Sequence, residues 1–379
     1  MNRGYRVLFC LVLGWGVFTS PTLGAETAGG GGGIPTSIRS DYQAGNLSTV
    51  QAFVTQQVKK LSDAKEAQDV QDAREALIEA TQVANADALP TYLGPYANAV
   101  NDAIKPLKDH KDLRVRLNAA IVVARVAQAA KNTRLMECSQ AFMQDGEEAV
   151  VLWGIKAAKY IIPQVLNNPM LAIGNGGKFV MVGAIVPAVK AHPDGPVVEE
   201  AYEALSVDPK DVPPTAIGQV VEQMFALFAW RNEQYLKGVP TEPLAERLPM
   251  NYLSTLFGTG APKPLTPAQQ LQVMQLGTDL MSLAAQRMSA GGVPEQLGPV
   301  IVMDAKAITA IGTRMSSNAV IAAVKNLKEM SNNPNPVTVQ ADVDAAIKAI
   351  AAVPEFKKLK PAPKIETAAG ESATTQAEK

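Results

Sequence analysis

Apolar positions recur along this chain with the spacing of helices rather than of strands. Residues 46–61 and 65–84 combine helical spacing with strong helix formers, and Ser62 and Asp63 between them are good cap residues. Residues 216–236, 243–257, 267–290, 294–311, 316–330 and 339–352 read the same way. Several of these begin with proline at or near the first helical turn, where its missing N–H is no loss. Gly238, Gly258, Gly291 and Gly292 stand where C-terminal stops belong. Alternating Val/Ile/Thr runs of strand type are nearly absent, so the pattern predicts an all-α chain.

The stretch 85–207 carries more than helical spacing. Three segments align: Val115-Arg116-x-x-Ala119-x-x-Val122-Val123, Val150-Val151-x-x-Gly154-x-x-Ala157-Ala158 and Val197-Val198-x-x-Ala201-x-x-Ala204-Leu205. Apolar residues at i, i+4, i+7 and i+8 form one stripe on a helix, and the small residue at i+4 admits a neighbouring helix closely. An acid stands three residues before each first Val, at Asp112, Glu147 and Asp194. Asp112 and Asp194 are natural N-caps, and all three suit the positive end of a helix. A second apolar helix is expected ahead of each segment, over 96–107, 135–143 and 178–189. The unit is a helix–turn–helix that steps by 35 and then 47 residues. Degenerate copies begin at Asp69-Val70 and at Val300-Ile301.

With these residues the chain resembles the HEAT-repeat family. The closest stretch is 90–127, where Leu107, Asp112, Val115, Arg116, Ala119 and Ala120 fall at family-like spacing. The family's arginine after the first Val is present only as Arg116; Val151 and Val198 replace it. The resemblance implies a curved α-solenoid that binds other macromolecules and has no chemistry of its own. The expected fold is therefore all-α, stacked helical hairpins in an irregular HEAT-like solenoid. The competing arrangement is an irregular helical bundle. Stacking is favoured because a single hairpin cannot bury both its faces.

The ends have a different character. Residues 1–25 read as a secretory signal: Arg3 and Arg6, then an apolar run from Val7 to Phe18, then a small-residue region allowing cleavage after Gly24 or Ala25. The apolar run is about 12 residues, short of the roughly 20 a bilayer span needs. Residues 26–45 contain five consecutive glycines and are expected to form a flexible linker. Residues 46–207 are the helical hairpins, 208–356 a further helical region that either continues them or does not, and 357–379 a disordered tail. An exported protein, periplasmic or extracellular, with no stable membrane span after cleavage, is the expectation.

Composition narrows the chemistry. The chain has 379 residues, 47% of them hydrophobic and only 5% aromatic, so its core must be built from Ala, Val, Leu, Ile and Met. Charge is balanced, 35 basic against 36 acidic residues, which argues against nucleic acid as a partner. Two His and two Cys are too few for a metal cluster or a disulfide framework, and the spacing of His110, His192 and Cys138 gives no support to a zinc site. Cys138 is expected to be a buried small hydrophobe. Gly174-Asn175-Gly176-Gly177-Lys178 fails as a phosphate loop, because Ala172 and Phe179 occupy positions that need Gly and Ser or Thr. No cofactor or metal is expected.

Two functions remain open. One is a non-catalytic scaffold that binds a protein or polymer; the alternative is a carboxylate-dependent hydrolase on a helical scaffold, which needs two carboxylates facing each other across a cleft. For the first, the middle repeat supplies a surface. Asn118, Trp153 and Glu200 share one column, Ile121, Lys156 and Glu203 the next, and Arg125, Tyr160 and Val207 a third. On this mostly polar face Trp153, Lys156 and Tyr160 fall at i, i+3 and i+7, and they are the expected partner-binding residues. That expectation requires an exposed Trp153.

Overall fold

In the computed structural model, residues 33–168, 177, 179–238, 243–258, 260–261, 264–330 and 334–365 are described. The expected signal (residues 1–25), all of the glycine run but Gly33, and residues 366–379 lie outside them, as do residues 174–176 and 178. The described residues hold 16 α-helices and one two-residue ribbon, an all-α protein.

Six hairpins follow a short first helix, α1 (Thr36–Ser40). They are α2 (Leu47–Asp63) with α3 (Ala67–Glu79), α4 (Pro90–Ile104) with α5 (Leu113–Ala130), and α6 (Met136–Phe142) with α7 (Glu148–Asn167). Next come α8 (Val180–Ala191) with α9 (Gly195–Leu205), α10 (Pro214–Leu236) with α11 (Arg247–Thr255), and α12 (Pro267–Ser289) with α13 (Pro294–Arg314). Three further helices follow: α14 (Asn318–Ala323), α15 (Lys325–Glu329) and α16 (Val339–Ala351). Contacts run in two rows. In one, α3, α5, α7, α9, α11 and α13 touch in succession; in the other, α2, α4, α6, α8, α10, α12 and α16 do. The three aligned Val segments are α5, α7 and α9, and the two degenerate copies are α3 and α13, so all five lie in the first row.

Sequence explains the spacing of that row. Val115, Val150 and Val197 are buried with their i+4 residues Ala119, Gly154 and Ala201. At Gly154 the approach is closest: an added Cβ would lie 2.7 Å from the Met143 backbone nitrogen and 2.9 Å from the Phe142 carbonyl carbon. Ser139 Oγ donates to the Gly154 carbonyl at 2.9 Å across the same contact. Helix α7 is long and apolar enough to cross a membrane, but 56% of that stretch is buried within the protein, between α5, α6 and α9. Asp112, Glu147 and Asp194 all occupy N-cap positions, but only Asp112 caps with its side chain, accepting from the Arg114 N–H at 2.8 Å. Gly238, Gly258 and Gly291 have φ of +71°, +84° and +97°, the left-handed backbone of helix stops.

The structure departs from the sequence expectation in several places. Ser62 and Asp63, expected as caps, are instead the last residues of α2, because the helix runs past Leu61 to Asp63 and Glu66 takes the N-cap of α3. The helix expected over 65–84 ends at Glu79, and β1 (Gln82–Val83) pairs with β2 (Ala86–Asp87) through Ala84 and Asn85, both at positive φ. Two successive left-handed residues are what a tight two-residue hairpin requires. The helix expected over 316–330 breaks at Val324, so that α14 and α15 both pack on α13. The linker expected to reach residue 45 gives way to α1, preceded by a buried Ile34. The tail expected to be disordered from residue 357 is instead seated as far as Ile365, by hydrogen bonds donated in both directions between it and α12.

Candidate partner-binding face

Helix α7 places Trp153, Lys156 and Tyr160 on the side that faces between α5 and α9. All three are half-buried, with the rings of Trp153 and Tyr160 resting against the core. The required exposure of Trp153 is thus met only in part, because a side chain this large reaches across to the neighbouring helix. The Arg125 guanidinium of α5 lies 5.6 Å from the Trp153 ring centre, and Lys156 Nζ lies 4.8 Å from it. Lys159 Nζ lies 5.9 Å from the Tyr160 ring centre. Both rings therefore present faces to cations, an electrostatically favourable arrangement.

These groups surround a hollow of about 160 Å³. Ala124, Arg125 and Gln128 line it from α5, the three expected residues and Lys159 from α7, and Glu200 from α9. That is less than small-molecule sites occupy, roughly 300–1,000 Å³, and matches a single side chain. Lys156 pairs with Glu200 at 3.7 Å, and Lys159 pairs with Glu203 and, at 4.0 Å, with Glu200. Burial raises the pKa of Glu200, while the two ammonium groups pull it back. Burial pulls Lys159 down, but its hydrogen bond to Glu203 and the two carboxylate charges outweigh this, leaving its pKa above the ordinary lysine value. Sequence reasoning missed Arg125, Lys159 and Glu200 as members of this site. Arg125 stood in the Tyr160 column and Glu200 in the Trp153 column, so the signal was present in the alignment.

The remaining chemistry lies elsewhere. Arg116 Nε donates to Asp145 Oδ2 at 2.8 Å and its Nη1 to the His110 carbonyl at 2.8 Å, beside an open hollow of about 440 Å³. The Asp112 N–H donates to His110 Nδ1 at 3.1 Å. His192 Nε2 meets the Asp145 carbonyl at 3.2 Å. The two histidines thus share the Arg116–Asp145 neighbourhood, while Cys138 is buried with Sγ donating to the Asn101 carbonyl. Among the described residues no three His, Cys, Asp or Glu side chains come together as a metal ligand set.

Besides Glu200 and Glu203 around Lys159, carboxylates of the described residues meet at two further sites. Glu148 and Asp194 lie side by side at the starts of α7 and α9; partial burial and then the charge of Asp194 raise Glu148. Deeper, Glu246 accepts from Arg231 Nε at 2.7 Å and from the Tyr235 hydroxyl at 2.7 Å, all three side chains fully enclosed. Burial holds Glu246 above the usual carboxylate range and Asp304, near it, well above. Compared with known proteins, the chain matches no family model and no curated protein.

Proposed function

We propose that this chain is an exported, non-catalytic interaction protein: an α-solenoid of HEAT-like hairpins that binds a protein or polymer through the face carried by α5, α7 and α9. The observation that carries the reading is the hollow floored by Trp153 and Tyr160 and rimmed by Arg125, Lys156 and Lys159. Aromatic floors concentrate binding energy, and the hollow's size suits one partner side chain whose acidic or accepting end would meet Arg125, since Lys156 and Lys159 already pair with Glu200 and Glu203. The solenoid reading is supported by the two rows of contacts, which continue through α10–α13 beyond the stretch that resembles the family. Export rests on the composition of residues 1–25.

The hydrolase alternative has the Glu148–Asp194 pair to draw on. Those carboxylates are exposed at helix starts rather than set across a cleft, which favours the binding reading. The test is co-purification of the full chain from cell-envelope fractions. Trp153→Ala and Lys156→Glu should each lose the partner that the unaltered chain retains, with unchanged far-UV circular dichroism. Retention by both variants would remove the reading.

A further inference from the structure

The strongest unassigned feature is the way α12 holds the segment that follows α16. Gln275, Asp279, Ser282 and Gln286 fall at i, i+4, i+7 and i+11, one polar stripe along α12. Gln275 Nε2 donates to Asp279 Oδ1 at 2.8 Å and to the Lys360 carbonyl at 3.2 Å, while its Oε1 accepts from the Lys360 N–H at 2.7 Å. Gln286 repeats the arrangement: Nε2 donates to Ser282 Oγ at 3.0 Å and to the Pro363 carbonyl at 2.8 Å, and Oε1 accepts from the Ile365 N–H at 2.8 Å. Each amide is therefore oriented by a neighbour on its own helix and reads both a donor and an acceptor of an extended backbone.

The geometry is matched in length. Eleven helical residues separate the two glutamines, about 16 Å at the helical rise. Five residues separate Lys360 from Ile365, about 15 Å in an extended polyproline-type strand. Pro361 and Pro363 have no N–H, and the glutamines ask for none there; both prolines also reduce the entropy lost on binding. Leu359 and Ile365 rest against the core at either end of the strand. The opposite wall is α16, through Asp344, Ile347 and Lys348. With the strand seated, about 610 Å³ remains open beside Ala362 and Lys364, so the segment does not fill its groove.

We propose that the groove between α12 and α16 is a receptor for a partner's extended, proline-containing peptide, and that residues 359–365 are an internal stand-in that such a peptide displaces. The preferred peptide carries apolar anchors six residues apart, two prolines separated by one residue, and between them a side chain larger than Ala362. This site is separate from the α7 face, and its failure leaves that reading untouched.

The probes are two fluorescein-labelled peptides, Phe-Lys-Lys-Leu-Lys-Pro-Ala-Pro-Lys-Ile-Glu and the same peptide with Phe in place of the central Ala, followed by anisotropy on the full chain. A chain with Leu359→Asp and Ile365→Asp, which unseats the strand and leaves the groove intact, should bind at least tenfold more tightly than the unaltered chain. The Phe peptide should bind more tightly than the Ala peptide. Adding Gln275→Ala and Gln286→Ala to the unseated chain should weaken binding at least tenfold. On the unaltered chain, millimolar peptide should accelerate hydrogen exchange of the Lys360 and Ile365 amides, a readout that needs no variant. No acceleration, or equal binding with and without the two glutamines, would overturn the proposal. So would a concentration-dependent dimer of the unaltered chain that forms by exchange of the segment between copies.

Discussion

Arg116 on α5 and Asp145 in the turn before α7 meet at 2.8 Å, with side chains only 16% and 7% exposed. Their pair joins two successive hairpins, and the same guanidinium satisfies the His110 carbonyl. Removing one partner strands the other charge, which costs about 3 kcal/mol in enclosed pairs. Arg116→Ala should lower the unfolding free energy by that order in guanidinium titration. The double variant Arg116→Met, Asp145→Asn should lose less than Arg116→Ala alone, because no charge is left unpaired.

Gly154 and Gly183 should respond oppositely to alanine. At Gly154 the new methyl meets the backbone of residues 142 and 143, and overpacking of this kind costs about 1–3 kcal/mol. At Gly183, inside α8, nothing lies within 4 Å, so the gain in helix propensity should stabilise by about 0.5–1 kcal/mol. Thermal melts of the two variants check both signs.

Stability should fall as pH rises from about 4 to 6, in part through Asp279. Burial pushes this carboxyl up to about 6 from an ordinary 3.8, so the folded state holds its proton where the unfolded state has released it. The folded state is favoured most below the unfolded value, and that advantage is gone once pH passes 6. Asp279→Asn should flatten this part of the pH–stability curve, measured by denaturant titration at half-unit steps.

Cys138 should be nearly inert toward thiol reagents in the native protein. Burial raises its thiol to about 12, and Sγ is engaged with the Asn101 carbonyl. In a chain carrying Cys10→Ser, modification at pH 8 should follow the unfolding transition in urea. Rapid labelling without denaturant would contradict the placement of this helix.

Helix periodicity made the first row of helices legible, because α3, α5, α7 and α9 keep a small residue at one fixed position, and all four, with α13, keep two apolar residues three and four positions after it. Helix α11 escaped that frame: it is nine residues long and carries Pro249 instead of a Val pair. The Trp153 face was legible as columns, and the pairing of Lys156 with Glu200 joins two columns that the alignment placed three residues apart. Its partial burial was not legible, since the reach of an indole depends on how close the next helix lies. The seated strand was hidden for a different reason. Its partners are side-chain amides 77–85 residues away, and a backbone recognised by glutamine leaves no periodic trace in the segment recognised.

Several side-chain links between successive elements share a sequence separation of 44 residues: Arg74–Asn118, Lys159–Glu203 and Tyr202–Glu246 along the first row, and Asn232–Leu276 along the second. Each link therefore closes a loop of the same contour length, about 150 Å at about 3.4 Å per extended residue. Under tension applied at the two ends, each rupture releases only the chain its own link held back, and the loops 202–246 and 232–276 share residues, so those two do not release a full length each. Other links close shorter or longer loops, 29 residues at Arg116–Asp145 and 48 at Glu199–Arg247, so a force–extension trace should show several teeth of unequal spacing rather than a single break.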